Sequence, residues 1–201
     1  MLDLIVLVAD KDMEYALRGV LGRPASLAIR PIKFDFLSHA NHDPGVRKTG
    51  AQSLALRRQT STHALMVLDF EGSGSDLSAA HLRRELDAKL ESTWGADART
   101  VVIEPELEAW VWGAENAVKE VFEWGEPIGI RDWLRGRGFT FNEQGKPQRP
   151  KNALEELTYS LRRPRSSALF KELAEQLSLK RCEDAAFRHL CNVLTTWFGV
   201  R

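Results

Sequence analysis

A chain of 201 residues and 22.7 kDa is one domain of ordinary size, or a core with a small appendage, and a hydrophobic share of 43% excludes a disordered chain. Twenty-eight basic residues balance twenty-eight acidic ones, which excludes a histone-like or polybasic-tail binder while leaving room for a local basic patch. No apolar run approaches the roughly 18 residues that a membrane-crossing helix needs.

Residues 2–9 (LDLIVLVA) are continuously apolar, which predicts a strand buried on both faces. Their apolar stretch is too short, and its flanks Asp3, Asp10 and Asp12 too acidic, for a secretory signal. Asp12 offers a cap for a helix through Leu21, with Met13, Ala16, Leu17 and Val20 on one side, and Gly22 and Pro24 stop it. A second strand is predicted over 27–37, with Pro31 marking an edge or bulge. The polar loop SHANHDPG (38–45) leads into a helix over 46–59, and HALMVLDF (63–70) is the third strand. After EGSGS, a helix over 76–93 carries Leu77, Leu82, Leu86 and Leu90 at helical spacing. Residues 99–103 form the fourth strand, and Pro105 opens a helix over 105–112 with Leu107, Trp110 and Val111 as its apolar stripe.

This alternation predicts an α/β fold: a mostly parallel sheet of about four strands with helices on both faces. The second half is different. A stretch punctuated by Gly and Pro, with one short helix near 130–135, is followed by helices at about 152–161, 166–177 and 183–197. The expected organisation is therefore an α/β core over 1–122 and a helical C-terminal layer over 123–201. Cys182 and Cys191 fall in what reads as one helix, where nine residues rise roughly 13 Å, too far for a disulfide. With no second pair, the expectation is a reduced, cytoplasmic protein.

In open parallel sheets, sites form beyond the carboxyl ends of the strands. Asp10 and Asp12 follow the first strand, His39, His42 and Asp43 the second, Asp69 and Glu71 the third, and Glu104, Glu106 and Glu108 the fourth. Hard oxygen ligands gathered on one edge suit Mg²⁺ or Mn²⁺. Taken singly, Asp10 or Asp12 also serves as the cap of the first helix, Asp76 of the third, and Glu104 and Glu106 as complements to a helix dipole. Asp69 and Glu71 stand out because residues i and i+2 of a strand share a face. In HANHDPG, His42 is the better candidate for a general base, and the plainer alternative has Asp43 capping the next helix with Pro44 at its first position. There is no GxxxxGK[ST] nucleotide loop, no GxSxG elbow and no cysteine–histidine pairing signature.

LIVLVADKDMEYALRGVL, HALMVLDFEGSGSD and PELEAWVWG together resemble the small bacterial TOPRIM-like proteins of phage-defence clusters, over about residues 2–110. The resemblance implies a TOPRIM-like fold and metal-dependent phosphodiester chemistry on nucleic acid, with Mg or Mn bound by Asp10, Asp69 and Glu71. It also implies a general acid or base on the first strand. The glutamate usual at that point falls on Ala9, with Asp10 one place later. The alternative implied by that displacement is a subunit or sensor without turnover, partnered with other defence-system subunits.

The neutral total conceals a basic C-terminal half. Arg149, Lys151, Arg162, Arg163 and Arg165, with Lys146 beside them, are candidates for contacts to a nucleic-acid backbone, and Trp133 is the one tryptophan placed to stack on a base. The plainer reading makes these cations solvated helix faces with i,i+4 pairs such as Lys151 with Glu155.

Overall fold

β1 (Leu2–Val8) is apolar and buried at every position from Leu4 to Val8. A strand hidden on both faces needs neighbours on both sides and helices above and below. It has both. β1 lies between β2 (Phe34–Ser38) and β3 (Ser61–Asp69), and β4 (Ala98–Ile103) extends the sheet beyond β3, so the order is β2-β1-β3-β4 with every pair parallel. The computed structural model describes residues 1–179 and 182–200.

Within the α/β half, the helices are α1 (Lys11–Leu21), α2 (His42–Ala55), α3 (Ala79–Trp94), α4 (Glu108–Val111) and α5 (Glu115–Val121). The C-terminal layer holds α6 (Ile130–Arg135), α7 (Pro150–Ser160), α8 (Ser167–Gln176) and α9 (Ala185–Phe198). An added Cβ at Gly50 in α2 would come 2.9 Å from Leu7 Cδ2 and 3.1 Å from Met66 Cε, so α2 covers the face bearing Leu7 and Met66. His63 has the opposite strand parity. Its ring meets Trp197 and Phe198 of α9 at 4.8 and 4.9 Å between centroids, so α9 covers the other face. The chain crosses from β1 to β2 on one side and from β2 back over β1 to β3 on the other, which makes the gap between β1 and β3 the switch point of the sheet.

The C-terminal layer is fastened to the core through α8. A Cβ at Gly19 of α1 would stand 2.7 Å from the Lys171 carbonyl oxygen and 2.9 Å from Ala174 Cβ, so α8 lies against α1 at a separation that only glycine allows. A buried pair adds a second tie. Lys146 Nζ donates to Asp184 Oδ2 at 2.7 Å, while Asp184 Oδ1 accepts from Trp110 Nε1 and caps α9 at Ala186 and Phe187. The outer edge of β4 is closed at Thr100, whose N–H donates to Asp87 Oδ1 and whose carbonyl bonds His189 Nε2. Side chains thus occupy an edge that would otherwise invite another strand.

Several boundaries differ from those expected. β2 starts at Phe34 rather than 27, because residues 24–28 coil into turns and pairing with β1 is set up by Lys33, whose carbonyl accepts from Asp3 and Leu4. α1 is capped by Asp10, which accepts from Met13 N at 2.9 Å, and not by Asp12. Ser78, not Asp76, caps α3. α2 begins at His42, so Asp43 lies inside its first turn instead of capping it. The helix predicted over 105–112 shortens to α4, since the Pro105 carbonyl accepts from Glu71 N and the Glu106 carboxylate from Lys151 N. Cys182 precedes α9 instead of sharing it with Cys191, and both thiols are free. Burial and the neighbouring Cys182 push the Cys191 thiol up to about 11, which keeps it protonated and unreactive. No helix among the described residues is long and apolar enough to cross a membrane.

Candidate functional site

All four strands deliver a carboxylate to one cleft of about 130 Å³ at their carboxyl ends. Asp10 and Asp12 follow β1, Asp43 opens the helix after β2, Asp69 ends β3, and Glu106 and Glu108 follow β4. The C-terminal layer supplies Lys151 and Arg165 to the same cleft. Six carboxylates therefore face two cations, at the switch point between β1 and β3 where open α/β sheets place their ligands.

Asp69 stands at the end of the central strand β3, half-buried. Its Oδ1 is sealed from solvent and has no hydrogen-bond partner among the described residues. Burial, then the charges of Asp43 and Glu108, hold its carboxyl well above the usual carboxylate range, with the Leu107 amide pulling the other way. Asp43 Oδ1 accepts from Asp69 N at 2.7 Å, and burial raises the Asp43 pKa, an effect the Asp69 amide partly offsets. Gly72 makes room for this arrangement: a Cβ there would stand 2.5 Å from Asp43 Oδ2. Arg47, one turn along α2 from Asp43, donates to the carbonyls of Ser73 and Gly74 and pins the loop after β3.

The far wall is an ion-pair cluster. Arg165 donates to Asp12 Oδ2 from Nε at 3.2 Å and from Nη2 at 3.0 Å, and Nη2 stands 2.7 Å from Glu108 Oε1. Ser167 Oγ donates to the second oxygen of Asp12 at 2.7 Å. Burial raises the Glu108 pKa and the Arg165 charge opposes it. Burial and then the Glu108 charge raise that of Glu106.

The candidates divide between the cleft and the surface. Asp10 and Asp69 line the cleft; Glu71 does not. β3 ends at Asp69 and the chain enters a 3₁₀ turn, so strand alternation no longer carries Glu71 to the same face, and it is exposed. His42 is also exposed, at a backbone φ of 48°, outside the cleft. The residue of HANHDPG that reaches the cleft is Asp43. Asp12, Asp43, Glu106 and Glu108 were visible in the sequence only as acids after strands, and nothing there told them from helix caps.

The basic stripe disperses. Lys146 is buried on Asp184, Arg163 donates to Glu172 at 2.6 Å and lies over Phe122, and Arg165 turns into the cleft. Arg149, Lys151 and Arg162 are exposed and have no carboxylate partner among the described residues. Trp133 is buried, with Arg137 stacked 3.5 Å from its ring centroid and Trp124 against its edge, so its face is already used.

Hard oxygen donors, one of them a buried oxygen without a partner, are of the kind that would suit a divalent cation. Among the described residues, no three His, Cys, Asp or Glu side chains are grouped as a ready-made metal cage. No protein-family model, curated protein or solved structure matches the chain.

Proposed function

We propose that the cleft is a TOPRIM-like, Mg²⁺- or Mn²⁺-dependent site for phosphodiester chemistry on nucleic acid, in the antiphage setting that the sequence resemblance implies. One observation carries the reading: carboxylates from all four strand ends converge on the switch point with a buried Asp69 oxygen left unpartnered. Such a cluster is unfavourable without positive charge among its members, and Lys151 and Arg165 offset only part of it.

The donor set fits a hard divalent ion. Mg²⁺ keeps several waters and takes one or two carboxylates with substrate phosphate oxygens, so it has no need of a three-ligand cage. Asp69 and Asp10 would hold it, with Asp43 in the place expected of Glu71. When bound, such an ion lowers the pKa of water and stabilises a leaving oxygen. The chain's own contribution is positional. Asp10 is fixed by capping α1, Asp69 by the end of β3, and Asp43 by the Asp69 amide.

A TOPRIM-like subunit without turnover is the second reading. It is favoured by the absence of a three-ligand group among the described residues and by Asp12 and Glu108 being engaged with Arg165.

Thermal unfolding with Mn²⁺ tests the site, and nuclease assays then separate the two readings. An ion that binds only the folded state raises the melting temperature of the wild type. Asp69→Asn, which keeps shape and removes charge, is expected to abolish the shift. Equal shifts in both proteins would refute the site. A shift lost in Asp69→Asn, without cleavage of single- or double-stranded DNA or RNA, would establish the silent subunit.

A further inference from the structure

We infer that Lys151 and Arg165 form a phosphate-recognising wall of this cleft, so that the C-terminal layer supplies the groups that grip the substrate's phosphate. The inference rests on the reading above and names the chemical class of its ligand: a phosphate ester that enters together with a divalent cation.

Three features of the wall support it. First, both cations line the same cleft as Asp10 and Asp69, although they come from separate elements of the C-terminal half. Second, Arg165 is held in one orientation. Asp12 grips Nε and Nη2, Glu108 sits beside Nη2, and the Phe170 ring lies 5.0 Å from the guanidinium carbon. The remaining terminal nitrogen, Nη1, is sealed from solvent and has no hydrogen-bond partner, with Glu155 Oε1 3.8 Å away. A guanidinium anchored on one edge with an unused donor on the other is suited to an oxyanion, because its fork geometry matches phosphate oxygens.

Third, Lys151 is uncommitted. It stands in the first turn of α7, its backbone N–H donates to Glu106 at 3.0 Å, and its exposed ammonium pairs with no carboxylate among the described residues. Exposed Lys151 and half-buried Arg165 both line this cleft of about 130 Å³ and offer it two cationic side chains. That volume suits one phosphate group and its ion, not a duplex. The acids supply a place for the ion and the two cations a place for the anion, and neither wall alone suits a metal–phosphate pair.

The test is inorganic phosphate binding to the full chain by calorimetry and thermal shift, with and without Mg²⁺. Wild type is expected to bind phosphate much more tightly with Mg²⁺ present. Lys151→Ala and Arg165→Gln are each expected to weaken it about tenfold, the loss of one hydrogen bond to a charged group. Arg57→Ala, an exposed arginine at the opposite end of the sheet, is expected to bind as wild type does. Arg165→Gln leaves Asp12 and Glu108 unpaired, so if it fails to fold, Lys151→Ala and Arg165→Lys decide the matter. Unchanged phosphate affinity in the wall variants would overturn the inference while leaving the cation site standing. If wild type shows no response to Mg²⁺, the cation reading fails on its own. Phosphate affinity without Mg²⁺ then decides this one: a loss in the wall variants supports it, and no binding at all overturns it.

Discussion

Asp43 Oδ1 accepts the backbone N–H of Asp69 at 2.7 Å, which joins the first turn of α2 to the last residue of β3. The bond does two things. It satisfies an amide at the point where β3 leaves the sheet, and it holds two carboxylates together that would otherwise separate.

Two substitutions distinguish these effects. Asp43→Asn keeps an oxygen for the Asp69 amide and removes the charge that burial disfavours, whereas Asp43→Ala leaves the amide unsatisfied. In urea unfolding without divalent ions, Asp43→Asn is expected to exceed Asp43→Ala in stability by about 1–2 kcal/mol. Equal stabilities would show that the bond contributes nothing to the fold.

The carboxyls of Asp69, Asp43, Glu106 and Glu108 all have raised pKa values in the folded protein, Asp69 the most. Between their ordinary values near 4 and the raised ones, the native state binds more protons than the unfolded state. Their contribution to stability is therefore complete below about pH 4 and is lost as pH rises through the folded values. His63 and His189, lowered by burial, act oppositely, losing stability as pH falls below about 6.5. In EDTA, the wild-type stability relative to Asp69→Asn is expected to fall as pH rises from 4 towards 8. A difference independent of pH would mean that Asp69 ionises as freely in the fold as in the unfolded chain.

Lys146 and Asp184 are each 7% exposed and meet at 2.7 Å, and Asp184 also caps α9 and receives the Trp110 indole. Removing one partner leaves a buried charge uncompensated. Lys146→Met is expected to cost about 3–5 kcal/mol, and the double variant Lys146→Met, Asp184→Asn to recover part of that loss. The check is denaturant unfolding of the four proteins of the cycle; additive losses would refute the coupling.

The chain itself determined the sheet. Leu4–Val8 and Ala64–Leu68 are apolar without interruption, and such runs satisfy their burial only as central strands of a parallel sheet covered on both faces. Residues that follow strands collect at one edge by topology, so the sequence also placed the acids near each other. It did not decide which of them meet. Strand periodicity points to Glu71, which misses the cleft because β3 ends two residues earlier, a boundary set by the 3₁₀ turn and the Pro105 carbonyl. Asp43 reads in the sequence as an acid after the second strand whose plainer role is a cap, and it reaches Asp69 because α2 begins one residue before it and Gly72 leaves space. Arg165 was one of a stripe of cations until α8 packed on α1 and carried the loop before it to Asp12 and Glu108. Partners up to 155 positions apart in sequence are chosen by packing, and local patterns of charge and polarity carry no information about that choice.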